Sequence, residues 1–298
     1  MTDFALLAGI PAPFTEPART AVPFAEWICV LTLVQAAVVA LPAARELPHL
    51  SRLRSGWWAL IPAGSVIAFV FGVRALSGAA DGLTYLALVA VPPLAALALA
   101  WLMRGARPPY AVAAGALFAL AWADRSGLAG EAAGLALDAG SCVTLGVLLV
   151  AVTPRRLVKL AIVAMAAADA WLVITNLLTA PNNSLNAIAP IAHLPALQRV
   201  QLDAAQMGYG DLFVAGLLGA LLARDRALQR RGAALAAVLA LSSNLLFFWV
   251  FELPATVPIA LTLLILEARA WWLRRSDVPP SGRVSAPLVS PAASERTR

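Results

Sequence analysis

Residues 83–103 read LTYLALVAVPPLAALALAWLM, a stretch with no charged side chain and no polar face. At 1.5 Å rise per residue, a helix of about 20 residues crosses the ~30 Å hydrocarbon core of a bilayer. A spanning β-barrel would instead show segments of ~10 residues alternating in polarity, which this stretch does not. The rest of the chain agrees with it. Hydrophobic residues make up 61% and charged residues 13% of the 298 positions, and mean hydropathy is +0.81, whereas soluble domains carry about 25% charged residues. An all-α, polytopic membrane protein is predicted.

Working outward, apolar stretches bounded by charge or proline give nine segments. They are Phe24 to Leu41, Trp57 to Leu76, Leu83 to Met103, Pro109 to Ala123, Gly130 to Thr153, Leu157 to Leu178, Ala204 to Ala223, Gly232 to Phe251 and Pro254 to Leu273. Residues 1–275 then form a single transmembrane helical domain, and 276–298, rich in Pro, Ser and Arg, a disordered tail. The opening residues Met1-Thr2-Asp3-Phe4 lack the basic region of a removable signal peptide, so the first segment is expected to direct insertion.

Basic residues flanking short loops stay on the cytoplasmic side. Arg45, Arg52 and Arg54 mark the first connection, Arg104 and Arg107 the third, Arg155, Arg156 and Lys159 the fifth, and Arg224, Arg226, Arg230 and Arg231 the seventh. The connections between carry little basic charge, Arg125 and Arg199 being their main cations. This alternation places the N-terminus outside and the C-terminus, after Arg274 and Arg275, in the cytoplasm. The outer connection from about Thr179 to Asp203 is long enough to have a role of its own.

The same distribution bears on function. The net charge of +6 is spread over loops rather than gathered in a patch, so nucleic acid is not an expected partner; the bilayer is. Cys29 and Cys142 lie within apolar stretches without metal or redox spacing, and packing is their expected use. His49 and His193 fall in different connections and in no His-Glu-x-x-His arrangement, so neither a metal nor a cofactor is expected. No Gly-x-Ser-x-Gly elbow is present. Trp27, Trp57, Trp58, Trp271 and Trp272 sit at segment ends as interfacial anchors.

Ionisable groups deep in a spanning helix cost at least ~2.5 kcal/mol, so each calls for a role. Arg74, Lys159, Arg269, Glu131 and Glu252 lie near helix ends, which leaves Asp138, Asp169 and Asp211. Asp138 is expected to make a structural hydrogen bond to a neighbour such as Ser141 or Thr144. Asn176, Ser242, Ser243 and Asn244 are expected to act as polar glue between helices. Asp169 lies about 12 residues into the sixth segment, and Asp211 about 12 residues from the cytoplasmic end of the antiparallel seventh, so both reach a depth of ~18 Å. Facing carboxylates in a low-dielectric site share one proton. One can take a proton from water attacking a peptide carbonyl while the other polarises the carbonyl oxygen. Geometry alone serves a proton-coupled transporter equally well. Gly208-Tyr209-Gly210-Asp211 favours a peptide, because glycines let a second chain approach closely. Inverted repeats, which a transporter would show, are absent from the sequence.

These residues resemble the presenilin and signal peptide peptidase family of intramembrane aspartyl proteases. That family has nine spanning helices, a Tyr-Asp pair on the sixth, Gly-x-Gly-Asp on the seventh and Pro-Ala-Leu opening the ninth. Here the sixth segment reads Ala168-Asp169, the seventh Gly208-Tyr209-Gly210-Asp211, and the ninth opens Leu253-Pro254-Ala255-Thr256, with alanine and threonine as the two departures. The resemblance implies that Asp169 and Asp211 are catalytic, that Gly208, Tyr209, Gly210, Pro254, Ala255 and Thr256 bind substrate, and that transmembrane helices or signal peptides are the substrates. The derived orientation is similar to the signal peptide peptidase branch. A prepilin-peptidase-like enzyme, which also uses Gly-x-Gly-Asp, is the further alternative, although such enzymes carry a lysine soon after the second aspartate where Leu212 and Phe213 stand here. Pro195-Ala196-Leu197 precedes the second aspartate and is read as coincidence. Oligomeric state is left open.

Overall fold

The apolar stretches become helices because the backbone in an apolar setting must satisfy its own hydrogen bonds. In a computed structural model, residues 21–76, 78–125, 127–191, 193–248 and 253–276 are described. The order is α1 (Ala21–Ala40), a single turn α2 (Pro48–Ser51), α3 (Ile61–Ala75) after a 3-10 turn, α4 (Ala79–Leu97), α5 (Ala111–Ala123), α6 (Leu128–Val152), α7 (Arg155–Ile174), α8 (Thr179–Ile191), β1 (Arg199–Leu202), β2 (Ala205–Gly208), α9 (Tyr209–Leu222), α10 (Arg226–Asn244) and α11 (Thr256–Ser276). The protein is mostly helical, with several long apolar helices. Five stretches are long and apolar enough to cross a membrane: Gly56–Ala75, Ala79–Leu102, Leu128–Val152, Arg155–Ile174 and Thr256–Arg275. They identify a multi-pass membrane protein. Each of the nine apolar segments overlaps one helix among α1, α3–α7 and α9–α11.

Two expectations need correction. The seventh segment does not begin as a helix at Ala204: β2 runs from Ala205 to Gly208 and pairs antiparallel with β1, Arg199 opposite Gly208 and Leu202 opposite Ala205. The chain is therefore not purely helical. Strict alternation explains the hairpin, since Val200, Leu202, Ala205 and Met207 are buried on one face while Gln201 and Gln206 face away. Its turn uses Asp203 at φ +50°, the left-handed conformation that two-residue hairpins require and that Asp tolerates. Glu131 at the start of α6 holds the tip, accepting Gln201 Nε2 at 2.9 Å and the Asp203 amide at 2.6 Å. The second correction is that α10 starts at Arg226 rather than Gly232, because Asp225 caps it: its Oδ1 accepts the amides of Ala227 at 2.9 Å and Leu228 at 3.0 Å.

Helix α9 is the central element. Every residue from Leu212 to Leu222 is buried. Small residues permit this: a Cβ on Gly216 would lie 2.5 Å from the Cys142 carbonyl oxygen of α6, and one on Gly219 2.4 Å from that of Val39 in α1. Such close backbone approach is how membrane helices gain packing energy without a hydrophobic drive.

The basic connections meet at one end. Arg104 donates to Gln229 Oε1 and the Ala223 carbonyl, Arg155 to the Leu221 carbonyl and Arg45 to the Trp101 carbonyl. Gln229 Nε2 points at the Val39, Pro42 and Gly219 carbonyls. The first, third, fifth and seventh connections thus share one end of the bundle, where arginines satisfy helix-terminal carbonyls. Arg104 has Arg226 and Arg230 as neighbouring charges. Desolvation, and then those neighbouring charges, pull its guanidinium below the usual arginine range.

The chain divides into units 1–263 and 264–298. In the second, Arg275 lies 4.1 Å above the Trp271 ring, a cation–π contact at the end of α11. The tail from 277, Glu252 and the first 20 residues lie outside the described residues.

Candidate active site

Asp169 lies near the C-terminal end of α7 and Asp211 in the first turn of α9. Both line one cavity of about 1030 Å³, together with Gly208, Tyr209, Gly210, Ala255 and Thr256. Seven of the eight residues singled out from sequence therefore share one wall. Pro254 does not line it; its carbonyl accepts the Val257 amide at 3.1 Å and opens α11. Each aspartate is part-buried and lines the cavity. Asp169 is near enough to act electrostatically on Asp211.

The motif residues hold the pair from both sides. Thr256 Oγ1 donates to Asp169 Oδ2 at 2.6 Å, so the threonine at the start of α11 supplies a hydroxyl to that carboxyl group. The Gly208 amide donates to Asp211 Oδ2 at 3.0 Å, half of a capping box at the start of α9. Glycine suits this position for space: a Cβ on Gly208 would lie 3.1 Å from that oxygen. At Gly210 it would lie 3.0 Å from the Met165 methyl of α7, so glycine lets the turn settle against the helix carrying Asp169.

Gln35 of α1 escaped the sequence reading. It is 1% exposed, and its Nε2 donates to the Ala255 carbonyl at 2.9 Å and the Asp211 carbonyl at 3.2 Å. One amide thus clamps the start of α11 to the start of α9. Its sequence signal is a polar amide in the second half of a segment whose other polar residues, Glu26 and Thr32, stand earlier. Asn244 adds the expected glue, donating to Thr32 of α1 at 3.0 Å. Ser243 bonds its own helix at the Ala240 carbonyl, and Asn176 accepts locally from Thr179.

The cavity wall continues into the outer connection through Asn182, Asn183 and Leu185 of α8, Gln198, and Gln206 and Met207 of β2. Leu197 is fully buried there, which gives Pro195-Ala196-Leu197 a packing role. Arg199 lines the wall too, with a buried Nε that has no hydrogen-bond partner among the described residues. Its burial pulls the guanidinium below the usual range, partly offset by Glu131. Among the described residues, no cluster of His, Cys, Asp and Glu is placed to hold a metal ion.

The chain matches no family model, no curated protein and no solved structure, so the reading of this site stands on its own residues and their geometry.

Proposed function

We propose that the chain is an intramembrane aspartyl protease that hydrolyses peptide bonds of transmembrane helices or signal peptides, with Asp169 and Asp211 as its catalytic pair. In this reading nine helices cross the bilayer in a presenilin-like arrangement, the N-terminus lies outside, and the arginine-rich end and the C-terminus lie in the cytoplasm. The observation that carries it is the meeting of three separate motifs, on α7, α9 and the start of α11, in the wall of one cavity.

The chemistry follows from two carboxyl groups sharing one proton. The ionised member takes a proton from a water whose oxygen attacks the scissile carbonyl carbon, while the protonated member gives its proton to the carbonyl oxygen. Collapse of the resulting diol breaks the C–N bond, with one carboxyl protonating the leaving amine. A helical substrate must unwind first, because its own turns shield the carbonyl. The cavity, with Gln206 to Gly210 along its wall, offers room for an extended segment, and backbone in strand conformation is suited to pair with one.

The test is cleavage of a panel of transmembrane peptides by purified protein in lipid, comparing wild type with Asp169→Asn and Asp211→Asn. Both substitutions preserve shape and remove the shared proton chemistry, so each should reduce cleavage to background while helical content and thermal stability persist. Cleavage surviving either change, or proton uptake coupled to solute in place of cleavage, would overturn the reading.

A further inference from the structure

Asp138, in the middle of α6, is fully buried, and neither carboxyl oxygen has a hydrogen-bond partner among the described residues. The expected bond to Ser141 or Thr144 is not made. Thr144 Oγ1 donates instead to the Leu94 carbonyl of α4 at 2.7 Å, and Ser141 Oγ donates to the backbone carbonyl of Asp138 at 2.8 Å. An ionised carboxylate left alone in such a site would cost several kcal/mol.

Counting protons around Ser141 points to what Asp138 does. A serine hydroxyl has one proton, and here it is spent on the Asp138 carbonyl. Ser141 Oγ lies 2.6 Å from the Tyr209 hydroxyl, so in that pair Tyr209 must donate and Ser141 accept. The Tyr209 oxygen is then left with lone pairs and no donor among the described residues. The Cys142 thiol beside it is directed at the Tyr209 backbone carbonyl, 3.9 Å away. Asp138 stands three residues before Ser141, on the same face of α6 and one helical turn from the Ser141–Tyr209 hydroxyl pair. A carboxylic acid that keeps its proton supplies the missing donor through one bridging water, and removes the buried charge at the same time.

We propose that Asp138 is a neutral carboxylic acid that positions Tyr209, and through it the Gly208–Asp211 turn that carries one member of the catalytic pair. Tyr209 is the only residue of that turn with a large side chain. Its ring packs against the cluster containing Leu137 and Leu197, and its hydroxyl is tied to α6, so α6 sets the depth at which Asp211 meets the cavity. The positioning role rests on the proposed protease function; the protonation of Asp138 does not.

Two measurements on the full chain in lipid test it. Infrared difference spectra of wild type against Asp138→Asn should show the loss of one carboxylic C=O band at neutral pH. In peptide cleavage, Asp138→Asn, whose amide also donates, should retain most of the wild-type kcat. Asp138→Leu should lose about 10-fold or more in kcat with KM little changed, because a displaced catalytic group slows chemistry more than binding. Tyr209→Phe, which leaves α6 intact and removes only the hydroxyl, should lose kcat likewise, and guards against Asp138→Leu failing to fold. A cleaving wild type with no lost band, or an Asp138→Asn protein as impaired as Asp138→Leu, overturns the proposal and leaves the protease reading standing. A lost band in a protein that cleaves nothing overturns the protease reading and leaves the protonated Asp138 standing.

Discussion

Helix α6 and the stretch leading through α3 are both apolar enough to cross a membrane, yet 67% of the most apolar window of Leu128–Val152 is buried inside the protein against 11% for Gly56–Ala75. The difference lies in side-chain size and not in apolarity. Helix α6 interleaves glycines with Ser141, Cys142 and Thr144, which lets α9 come within backbone contact, whereas α3 presents Ile67 and Phe71 outward and turns Val66 and Phe69 to the cavity. One side of the site is therefore close-packed and the other loosely bounded. Asp211 belongs to the packed side, on the helix wedged between α6 and α1. Asp169 belongs to the open side, on α7 facing α3. Such a division suits the proposed protease, which would have to hold one carboxyl group still and still admit a second helix.

The largest effect should come from filling the packed side. At Gly146 a Cβ would lie 2.5 Å from the backbone of Gly216, and backbone cannot step aside as a flexible side-chain end can. Gly146→Leu or Gly216→Leu should thus cost upwards of about 3 kcal/mol, above the usual overpacking penalty. Thermal unfolding in lipid checks this: a midpoint unchanged by either substitution would mean that α6 and α9 are not in contact, and the comparison would fall with them.

Legibility from sequence divides along the same line. The apolar helices could be read because such a segment advertises itself by length and apolarity, and Asp169 and Asp211 could be singled out because a carboxylate there is costly enough to notice. The hairpin could not, since its four-residue strands merge into the apolar run of α9 and alternate for too short a distance to separate from it. Gln35 was passed over because a neutral amide costs little enough in a spanning helix to look ordinary. The partner expected for Asp138 was wrong for a subtler reason: helical spacing put Ser141 on the correct face, but spacing does not say where a hydroxyl spends its single proton.

Gln35 offers the intermediate effect, because it ties the packed side to the start of α11. Gln35→Leu keeps the volume and removes both donors, so the Asp211 and Ala255 carbonyls keep their helical partners and lose the amide that joins them. The expected cost is about 1–3 kcal/mol, together with a fall in peptide cleavage larger than the loss of folded protein explains. Gln35→Glu, protonated in place, should restore part of both. If Gln35→Leu lowered stability and left the cleavage rate per folded molecule unchanged, the clamp would be a packing feature alone.

The smallest effect is expected where the open side faces outward. Gly64 of α3 has nothing within 4 Å of where a Cβ would stand, and it does not line the cavity. It shares its outward stripe with Ile67 and Phe71, 40% and 50% exposed, at the i, i+3 and i+7 positions of one helix face. Gly64→Leu adds apolar surface where lipid would meet it and replaces the residue with the least helix preference among those able to donate a backbone hydrogen bond. It should be neutral or stabilising by up to about 1 kcal/mol, with cleavage unchanged. The same leucine thus serves as a ruler on both sides: intolerable in the α6–α9 contact and unnoticed on α3. A large loss of stability at Gly64 would show that α3 packs against something on its outer face, a second copy of the chain or another subunit, and that the open side is closed in the working assembly.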